Sequence, residues 1–252
     1  MAFAASGSHV DADALDLGDE NSWIRIQNVG IHAAQIDISF YDETGAEVST
    51  DACPHSDRCT ALPSGFGWSF FQQGLEGLPA GYRGSAYVTV DQPFVSMLAR
   101  DSFKDGVFQI AGDSLRLGAG SSTLYAPIVQ STAGAISRLS IENARDDAEA
   151  CVQTSYFQEG SLLPAFVDPP GPTEGCPNGG YLLAPRATLL RDEHNMPVPS
   201  GFDGSAVVRT LDTSSGVAAE DQQPAVIVDS RFREAPGLAT YRAFDGLELS
   251  RV

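Results

Sequence analysis

The sequence lacks long hydrophobic runs and is poor in basic residues. No apolar run reaches the roughly 18 residues that would suggest a transmembrane helix, so we expect no membrane span. Only 15 lysines and arginines stand against 33 acidic residues, which gives a net charge of −18. Such a charge repels phosphate backbones and anionic lipid surfaces, so we do not expect nucleic-acid binding.

The sequence also lacks the short motifs of common enzymes. It contains no Gly-x-Ser-x-Gly elbow, no His-Glu-x-x-His pair, no Walker loop and no dinucleotide-binding glycine fingerprint. The four histidines lie in polar, loop-like contexts, which favours exposed residues over bases or ligands: His9, His32, His55 and His194. We therefore predict that the protein is not an enzyme and that it has no catalytic residue, no cofactor and no metal site.

One acidic cluster leaves a calcium site open as an alternative. Asp146, Asp147 and Glu149 fall on a predicted turn of the second half of the chain, where carboxylates suit calcium. The corresponding turn of the first half, Gly30-Ile31-His32, carries no acid. The cluster is therefore interpreted as a set of solvated turn residues.

Cysteine usage indicates an oxidising compartment. Cys53 and Cys59 lie in the first half of the chain, and Cys151 and Cys176 lie in the second. An even count fits a disulfide framework, and pairing within each half is favoured among the three possible connectivities. The spacing lacks the Cys-x-x-Cys pattern of a zinc site. We expect a secreted or cell-surface protein.

A nine-residue stretch occurs twice and sets the domain organisation. Leu78–Ala86 reads Leu-Pro-Ala-Gly-Tyr-Arg-Gly-Ser-Ala, and Val198–Ala206 repeats its proline, glycines, aromatic and Ser-Ala pair 120 positions later. A Pro-x-Gly turn followed by β-branched residues is typical of a loop that leads into a strand. The repeat predicts two domains, residues 1–120 with an acidic leader over 1–20, and residues 121–252.

Period-two alternation predicts the strands of both domains. The inward positions of the first domain are Ile24, Ile26, Ile36, Ile38 and Phe40, and those of the second are Leu139, Ile141, Val152, Thr154 and Tyr156. One strand is expected over residues 181–190. Within the repeated stretch, Gly84 and Gly204 are expected to allow close backbone passage, and Tyr82 and Phe202 to cap the core. Short strands without a helical period predict an all-β protein of two tandem antiparallel β-sandwiches.

The order of these motifs resembles a known repeat family. Ile-x-Ile-x-Asn-x-Gly from Ile24, Phe-Tyr-Asp-x-x-Gly from Phe40, the Leu78–Ala86 stretch and Asp91-Gln92-Pro93 look like a tandem β-sandwich repeat of secreted or surface proteins in Chloroflexota-like bacteria. The resemblance covers nearly the whole chain. It implies an immunoglobulin-like fold and an extracellular or cell-surface location, and it brings no catalytic residues.

The beginning of the chain suggests how copies could join. The second domain opens with a strand over residues 124–129, whereas the equivalent span of the first, residues 9–15, is acidic. A sandwich without an edge strand can accept one from another chain. The candidate strand donor is the short apolar segment Met1, Ala2, Phe3, Ala4 and Ala5. The alternative is that residues 1–20 fold back onto their own domain.

These observations favour a structural role. The prediction is a non-catalytic extracellular protein that self-assembles into a filament or surface layer, with itself or other surface proteins as partners. The alternative is an adhesin or glycan-binding module, or a passive spacer in a surface assembly. The glycan-binding alternative depends on three aromatic residues that could stack on sugar rings: Trp23, Trp68 and Tyr82.

Overall fold

A computed structural model describes residues 2–6, 19–49, 61–71, 78–79, 82–104, 107–113, 122–192, 194–212, 215, 224–232 and 237–242. Their regular secondary structure consists of β-strands, all paired antiparallel, and these residues form no α-helix. The all-β prediction is therefore confirmed. Nowhere in these ranges is there a helix long and apolar enough to cross a membrane. The expected Cys53–Cys59 disulfide, and residues 9–15, lie outside the described residues.

The chain divides into two compact units, Met1–Arg116 and Leu117–Val252. Unit 1 contains two four-stranded sheets, with strand orders β1-β6-β3-β4 and β5-β2-β7-β8. The strands are β1 (Ala2–Ser6), β2 (Asp19–Asn28), β3 (Ile36–Asp42), β4 (Glu47–Ser49), β5 (Gly67–Phe71), β6 (Arg83–Val90), β7 (Phe94–Lys104) and β8 (Val107–Asp113).

Unit 2 contains one continuous sheet path, β12-β11-β15-β9-β10-β16-β17, with β13 also paired to β11 and β14 to β10. A single residue pair between β9 and β10, Ser131 with Ile136, links the two halves of this path. The strands are β9 (Thr123–Ser131), β10 (Ala135–Asn143), β11 (Ala150–Gln158), β12 (Phe166–Asp168), β13 (Tyr181–Leu183), β14 (Thr188–Arg191), β15 (Phe202–Leu211), β16 (Pro224–Phe232) and β17 (Gly237–Arg242).

The two units share one strand order. The row β1-β6-β3-β4 of unit 1 corresponds to β9-β15-β11-β12 of unit 2, and β5-β2-β7-β8 corresponds to β14-β10-β16-β17. Strand β13 of unit 2 has no counterpart among the described strands of unit 1. The repeated sequence stretch therefore leads into equivalent strands, β6 and β15, in two copies of one topology.

The alternating apolar positions form the cores. In unit 1 the inward residues of β2 and β3 are at most 2% exposed: Ile24, Ile26, Ile36, Ile38 and Phe40. In unit 2, Leu139, Ile141, Val152 and Tyr156 belong to one buried cluster, and Thr154 is 1% exposed. The predicted inward positions are confirmed. They are buried because successive strand side chains point to opposite faces, so one face of each strand can be apolar throughout.

The repeated stretch brings two backbones close together at its second glycine. A Cβ atom at Gly84 would overlap the carbonyl oxygen of Tyr41, and one at Gly204 would overlap the carbonyl oxygen of Phe157. The expectation of close backbone passage is confirmed at both positions. Only glycine fits there, because any other residue carries a Cβ atom.

The aromatic residue of the stretch covers the core. Tyr82 is 5% exposed, packs edge-on against Phe40 with ring centroids 6.0 Å apart, and donates its hydroxyl to the carbonyls of Tyr41 and Ser85. Phe202 is 1% exposed and packs edge-on against Tyr156 at 6.3 Å. Capping of the core is confirmed. The alternative use of Tyr82 as an exposed sugar-stacking ring is wrong, because both its ring and its hydroxyl are engaged inside unit 1.

Residues 181–190 form two strands rather than the single one predicted. Strand β13 pairs with β11, whereas β14 pairs with β10. Between them, Pro185 has no N–H to donate to a ladder, and Arg186 adopts a φ of 63° that extended strands do not use. The chain thus changes strand partner at these two residues.

A buried asparagine organises the same loop in each unit. Asn28 and Asn143, at the ends of β2 and β10, are 0% and 1% exposed. Each donates its amide nitrogen to carbonyls of neighbouring loops and accepts, at its side-chain oxygen, the N–H of the residue two positions later. The partners are His32, Leu62 and Gly30 for Asn28, and Ala148, Leu183, Ala184 and Arg145 for Asn143.

The turn between β3 and β4 supports a prediction about acid stability. Asp42 accepts hydrogen bonds from the Thr44 hydroxyl at 2.6 Å and from the N–H groups of Thr44 and Ala46. The Thr44 hydroxyl bond is the main cause that lowers the pKa of Asp42, against the opposing effect of partial burial. Replacing Asp42 with alanine should lower the free energy of unfolding of unit 1 by about 1 kcal/mol at neutral pH.

The stabilisation of unit 1 by Asp42 should decrease as the pH falls. Because the folded pKa of Asp42 is lowered, its contribution is present above the unfolded pKa, about 4, and is lost as the pH falls through the folded value. Denaturation followed by tryptophan fluorescence at pH 7 and pH 3 measures the difference. Asp37→Ala, an exposed position on the same strand, is the control. A penalty for Asp42→Ala that is unchanged at pH 3 would contradict this assignment.

Candidate functional site

The edge of β6 is the first candidate interaction site. Strand β1 pairs with β6 in antiparallel register, from Ala2 opposite Tyr87 to Ser6 opposite Arg83. It occupies the place that β9 holds beside β15 in unit 2. The segment that the sequence nominates as a strand donor therefore pairs with its own domain here, and residues 2–6 fill the edge position beside β6. For residues 2–6 this arrangement matches the alternative in which the beginning of the chain folds back onto its own domain.

The second candidate is the outer face of the sheet β5-β2-β7. The strand registers place its residues in three rows: Phe71, Trp23 and Ala99; Ser69, Arg25 and Met97; and Gly67, Gln27 and Val95. Phe71 is 60% exposed, Val95 52% and Met97 37%, and Trp23 is half-buried beside Phe71 with ring centroids 5.7 Å apart. We call these nine residues the outer face of unit 1.

Arg25 lies at the centre of the outer face. Its guanidinium donates to the Ser69 hydroxyl at 3.0 Å and extends towards Gly67, where a Cβ atom would come within 3.1 Å of Nη2. The side chain thus lies along β5 with apolar residues on both sides. The outer face combines one cation with an exposed apolar surface, which can bind an apolar group that carries a neighbouring anion.

The two tryptophans differ in orientation. Trp23 is on the outer face, whereas Trp68 is opposite Ile26, a fully buried residue, and so is on the inner side of β5. Of the three aromatics nominated for glycan stacking, only Trp23 is on the outer face. Its exposed neighbours Phe71, Val95 and Met97 were not predicted from the sequence. The signal was available, because their alternation with Phe70, Ser96 and Leu98 places them on the outward side of β5 and β7.

A buried polar cluster lies at one edge of unit 2. Arg191 of β14 forms an ion pair with Asp168 of β12, with Nε and Oδ2 2.5 Å apart and both side chains at most 10% exposed. Tyr181 of β13 donates its hydroxyl to the other carboxylate oxygen at 2.8 Å, and its ring lies 4.6 Å from the Arg191 guanidinium. The cluster therefore connects β14 to β12 and β13.

Burial and charge set the pKa values in this cluster. Burial opposes the charge of Arg191, yet the hydrogen bond and the charge of Asp168 outweigh it and raise the pKa of Arg191. Burial, followed by the bond to Asp168, raises the pKa of Tyr181. Burial also raises the pKa of Tyr156 strongly. The raised pKa values favour the protonated forms of the arginine and of both tyrosines, and the ion pair and hydrogen bond make the cluster a structural connection between strands.

The acidic turn of unit 2 is bound to arginines. Asp147 pairs with Arg145 at 2.8 Å, and Asp146 pairs with Arg186 at 3.5 Å. Within the described residues, no three His, Cys, Asp or Glu side chains converge on a point that could hold a metal ion. Asp146 and Asp147 therefore form ion pairs with arginines, and within the described residues this turn does not gather a set of metal ligands.

One predicted disulfide lies in the described part of the chain. Cys151 of β11 is bonded to Cys176, with a sequence separation of 25, and the pair is buried beside Leu211. This bond anchors the long loop between β12 and β13 to β11. Closing a loop of this length contributes about 3 kcal/mol in the chain-entropy model. The loop precedes Tyr181, so the disulfide also supports the polar cluster.

Comparison of the chain with protein-family models, with curated proteins and with solved structures found no match.

Proposed function

We propose that this chain is a non-catalytic extracellular structural protein of two immunoglobulin-like β-sandwich repeats, which assembles with copies of itself into a filament or surface layer. The proposal follows from the duplicated topology, the strand at the β6 edge and the disulfide. A buried Cys151–Cys176 bond supports a secreted or surface location, because disulfides persist mainly in oxidising compartments.

The pairing of the central strands supports the immunoglobulin-like assignment. In such a sandwich the second strand pairs with the fifth in one sheet, and the third pairs with the sixth in the other. These pairs are β2–β5 and β3–β6 in unit 1, and, leaving β13 aside, β10–β14 and β11–β15 in unit 2. The edges differ, because β1 lies beside β6 and β7 lies beside β2, whereas the constant-type domain has its first strand beside the second.

The single observation that carries the assembly proposal is the position of β1 beside β6. Strand β1 has five residues and is joined to β2 by residues 7–18, whereas β9 has nine residues and is joined to β10 by the short turn 132–134. Strand pairing uses backbone groups, which are the same in every copy, so a neighbouring chain can supply this strand equally well. Exchange of one element between identical chains is a low-cost route to assembly.

Removal of residues 1–8 tests strand donation. We expect the shortened chain to form far fewer assemblies, because no copy can then supply the strand beside β6. Negative-stain electron microscopy and size-exclusion chromatography compare it with the full chain. Assemblies that persist unchanged in the shortened chain would contradict strand donation.

A proline variant separates strand pairing from chain length. Phe3→Pro/Ala4→Pro keeps all residues but removes two consecutive N–H groups, one of which must face β6. We expect it to behave like the shortened chain. Ala4→Ser, which retains the N–H, is the matched control and should assemble normally.

The outer face of unit 1 favours a second function, that of an adhesin for glycans. Trp23 and Phe71 form an aromatic pair beside Arg25, and aromatic faces with polar neighbours can bind sugar rings. This function predicts saturable binding of the purified chain on a glycan array and loss of that binding in Trp23→Ala. Binding that Trp23→Ala leaves intact would place it elsewhere.

A further inference from the structure

The two units diverge at two corresponding places, and each divergence exposes apolar residues. The outer face of unit 1 carries Trp23, Arg25 and Gln27 on β2, where β10 of unit 2 has Arg138, Ser140 and Glu142. In unit 2 that face is not an exposed apolar surface, since Ser140 is 7% exposed and Glu142 is 1% exposed. The exposed apolar face is therefore a property of unit 1.

The second divergence is at the turn that follows β3 in unit 1 and β11 in unit 2. In unit 1 this turn is polar and consists of residues 43–46, organised by Asp42. In unit 2 it spans residues 159–165, and at its tip Leu162 is 96% exposed and Leu163 is 75% exposed. We call residues 159–163 the leucine tip.

The leucine tip is held in a defined conformation. The N–H of Ser161 donates to the carbonyl of Gln158 at 3.0 Å, and the Ser161 hydroxyl donates to the carbonyl of Leu163 at 2.8 Å. Gly160 adopts a φ of 76°, which allows the tight turn. Two adjacent leucines are thus presented to solvent by an ordered turn, and the exposed Glu159 lies at its base.

Within this proposed self-assembly, we propose that the leucine tip of one copy binds the outer face of unit 1 of a second copy. Both surfaces expose large apolar side chains in the single chain, and these are Phe71, Val95 and Met97 on the face and Leu162 and Leu163 on the tip. Their charges are complementary, because Arg25 lies at the centre of the face and the exposed Glu159 is the first residue of the leucine tip.

The symmetry of this contact leads to a chain of copies. The tip and the face are different surfaces on the same molecule, so each copy still has a free face when its tip is bound. Such heterologous contacts generate rings or open helical filaments, whereas a two-fold contact would stop at a dimer. The contact therefore assigns a specific interface to the proposed filament, and it makes the filament directional because every copy binds through its tip to the face of the next.

Charge reversal in the full chain tests the contact. Arg25→Glu and Glu159→Arg are each expected to weaken self-association, and the double variant R25E/E159R is expected to restore it, because the pair is then reversed but still opposite in sign. Leu162→Ser/Leu163→Ser should raise the dissociation constant for self-association about tenfold or more, as for truncated anchors at an interface centre. Sedimentation velocity measures the association, and Ile128→Ser, an exposed apolar residue of β9 that is 50% exposed, is the control.

The outcomes distinguish this contact from the wider proposal. A chain that does not self-associate at any concentration would overturn both the proposed function and this contact. Normal self-association in the leucine and charge variants would overturn the contact alone and leave strand donation as the route. Glycan binding that depends on Trp23, with self-association unaffected by Arg25→Glu, would assign the face to sugars and also overturn the contact.

Discussion

Replacement of Asp168 with asparagine should lower the free energy of unfolding of unit 2 by about 3–5 kcal/mol. Asparagine keeps the shape of the side chain and can still accept the bond from Tyr181, but it removes the charge that faces Arg191. The guanidinium would then remain buried without a counter-charge, and that is the costly state. The effect should be confined to unit 2, since the polar cluster lies within it.

Hydrogen exchange of the amides in β12 and β14 measures this loss of stability. Both tryptophans are in unit 1, so tryptophan fluorescence during denaturation shows whether unit 1 keeps its stability. Arg191→Met should also be destabilising, and Asp168→Asn/Arg191→Met should cost less than the sum of the single changes, because neither charge is left alone. Asp147→Asn, in the more exposed pair with Arg145, should cost only about 0–1 kcal/mol. An equally small cost for Asp168→Asn would contradict the assignment of a buried ion pair.

Replacement of Gly204 with alanine should destabilise unit 2 by about 3 kcal/mol. The added Cβ atom would overlap the carbonyl oxygen of Phe157 and would lie 3.0 Å from the Phe202 ring. The carbonyl belongs to the backbone of β11, which pairs with β15, so relief of the overlap requires separation of two central strands. Gly84→Ala should have the same effect in unit 1, against the carbonyl of Tyr41.

Gly134→Ala is the matched control for Gly204→Ala. A Cβ atom at Gly134 meets nothing within 4 Å, and this glycine lies in the turn between β9 and β10 of the same unit. Hydrogen exchange of β11 and β15 should therefore be faster in Gly204→Ala and unchanged in Gly134→Ala. Equal protection of these amides from hydrogen exchange in the two variants would contradict the prediction, because β11 and β15 could then separate at Gly204 without loss of stability.

The inward positions of the strands could be predicted from the sequence because alternation is a local signal. Ile36, Ile38 and Phe40 alternate with polar residues, and the sheet buries them as expected. The meaning of the repeated glycines was also predictable, because a residue without a side chain between strand-forming residues indicates close backbone contact. These features depend on neighbours in the sequence.

The polar cluster of unit 2 was not predictable in the same way. Asp168 and Arg191 are 23 positions apart and lie on either side of a loop rich in proline and glycine, and nothing in the local pattern specifies their pairing. The inward position of Tyr156 showed only that a polar group would enter the core. The split of residues 181–190 into two strands also depends on tertiary pairing, with β11 on one side and β10 on the other.

The interaction surfaces fall between these cases. The outward positions of β5 and β7 can be read from alternation, but their proximity depends on β2 lying between the two strands. Leu162 and Leu163 look like a short apolar run in the sequence, and their exposure follows only from the turn that presents them. Both features differ between the two structural copies, because each is apolar where the other copy is polar.

Electron microscopy of the purified, unmodified chain over a range of concentrations, with sedimentation velocity on the same samples, decides whether the protein self-assembles. We predict filaments or sheets whose abundance increases with concentration. A single monomeric species at every concentration would contradict the structural role proposed for this chain.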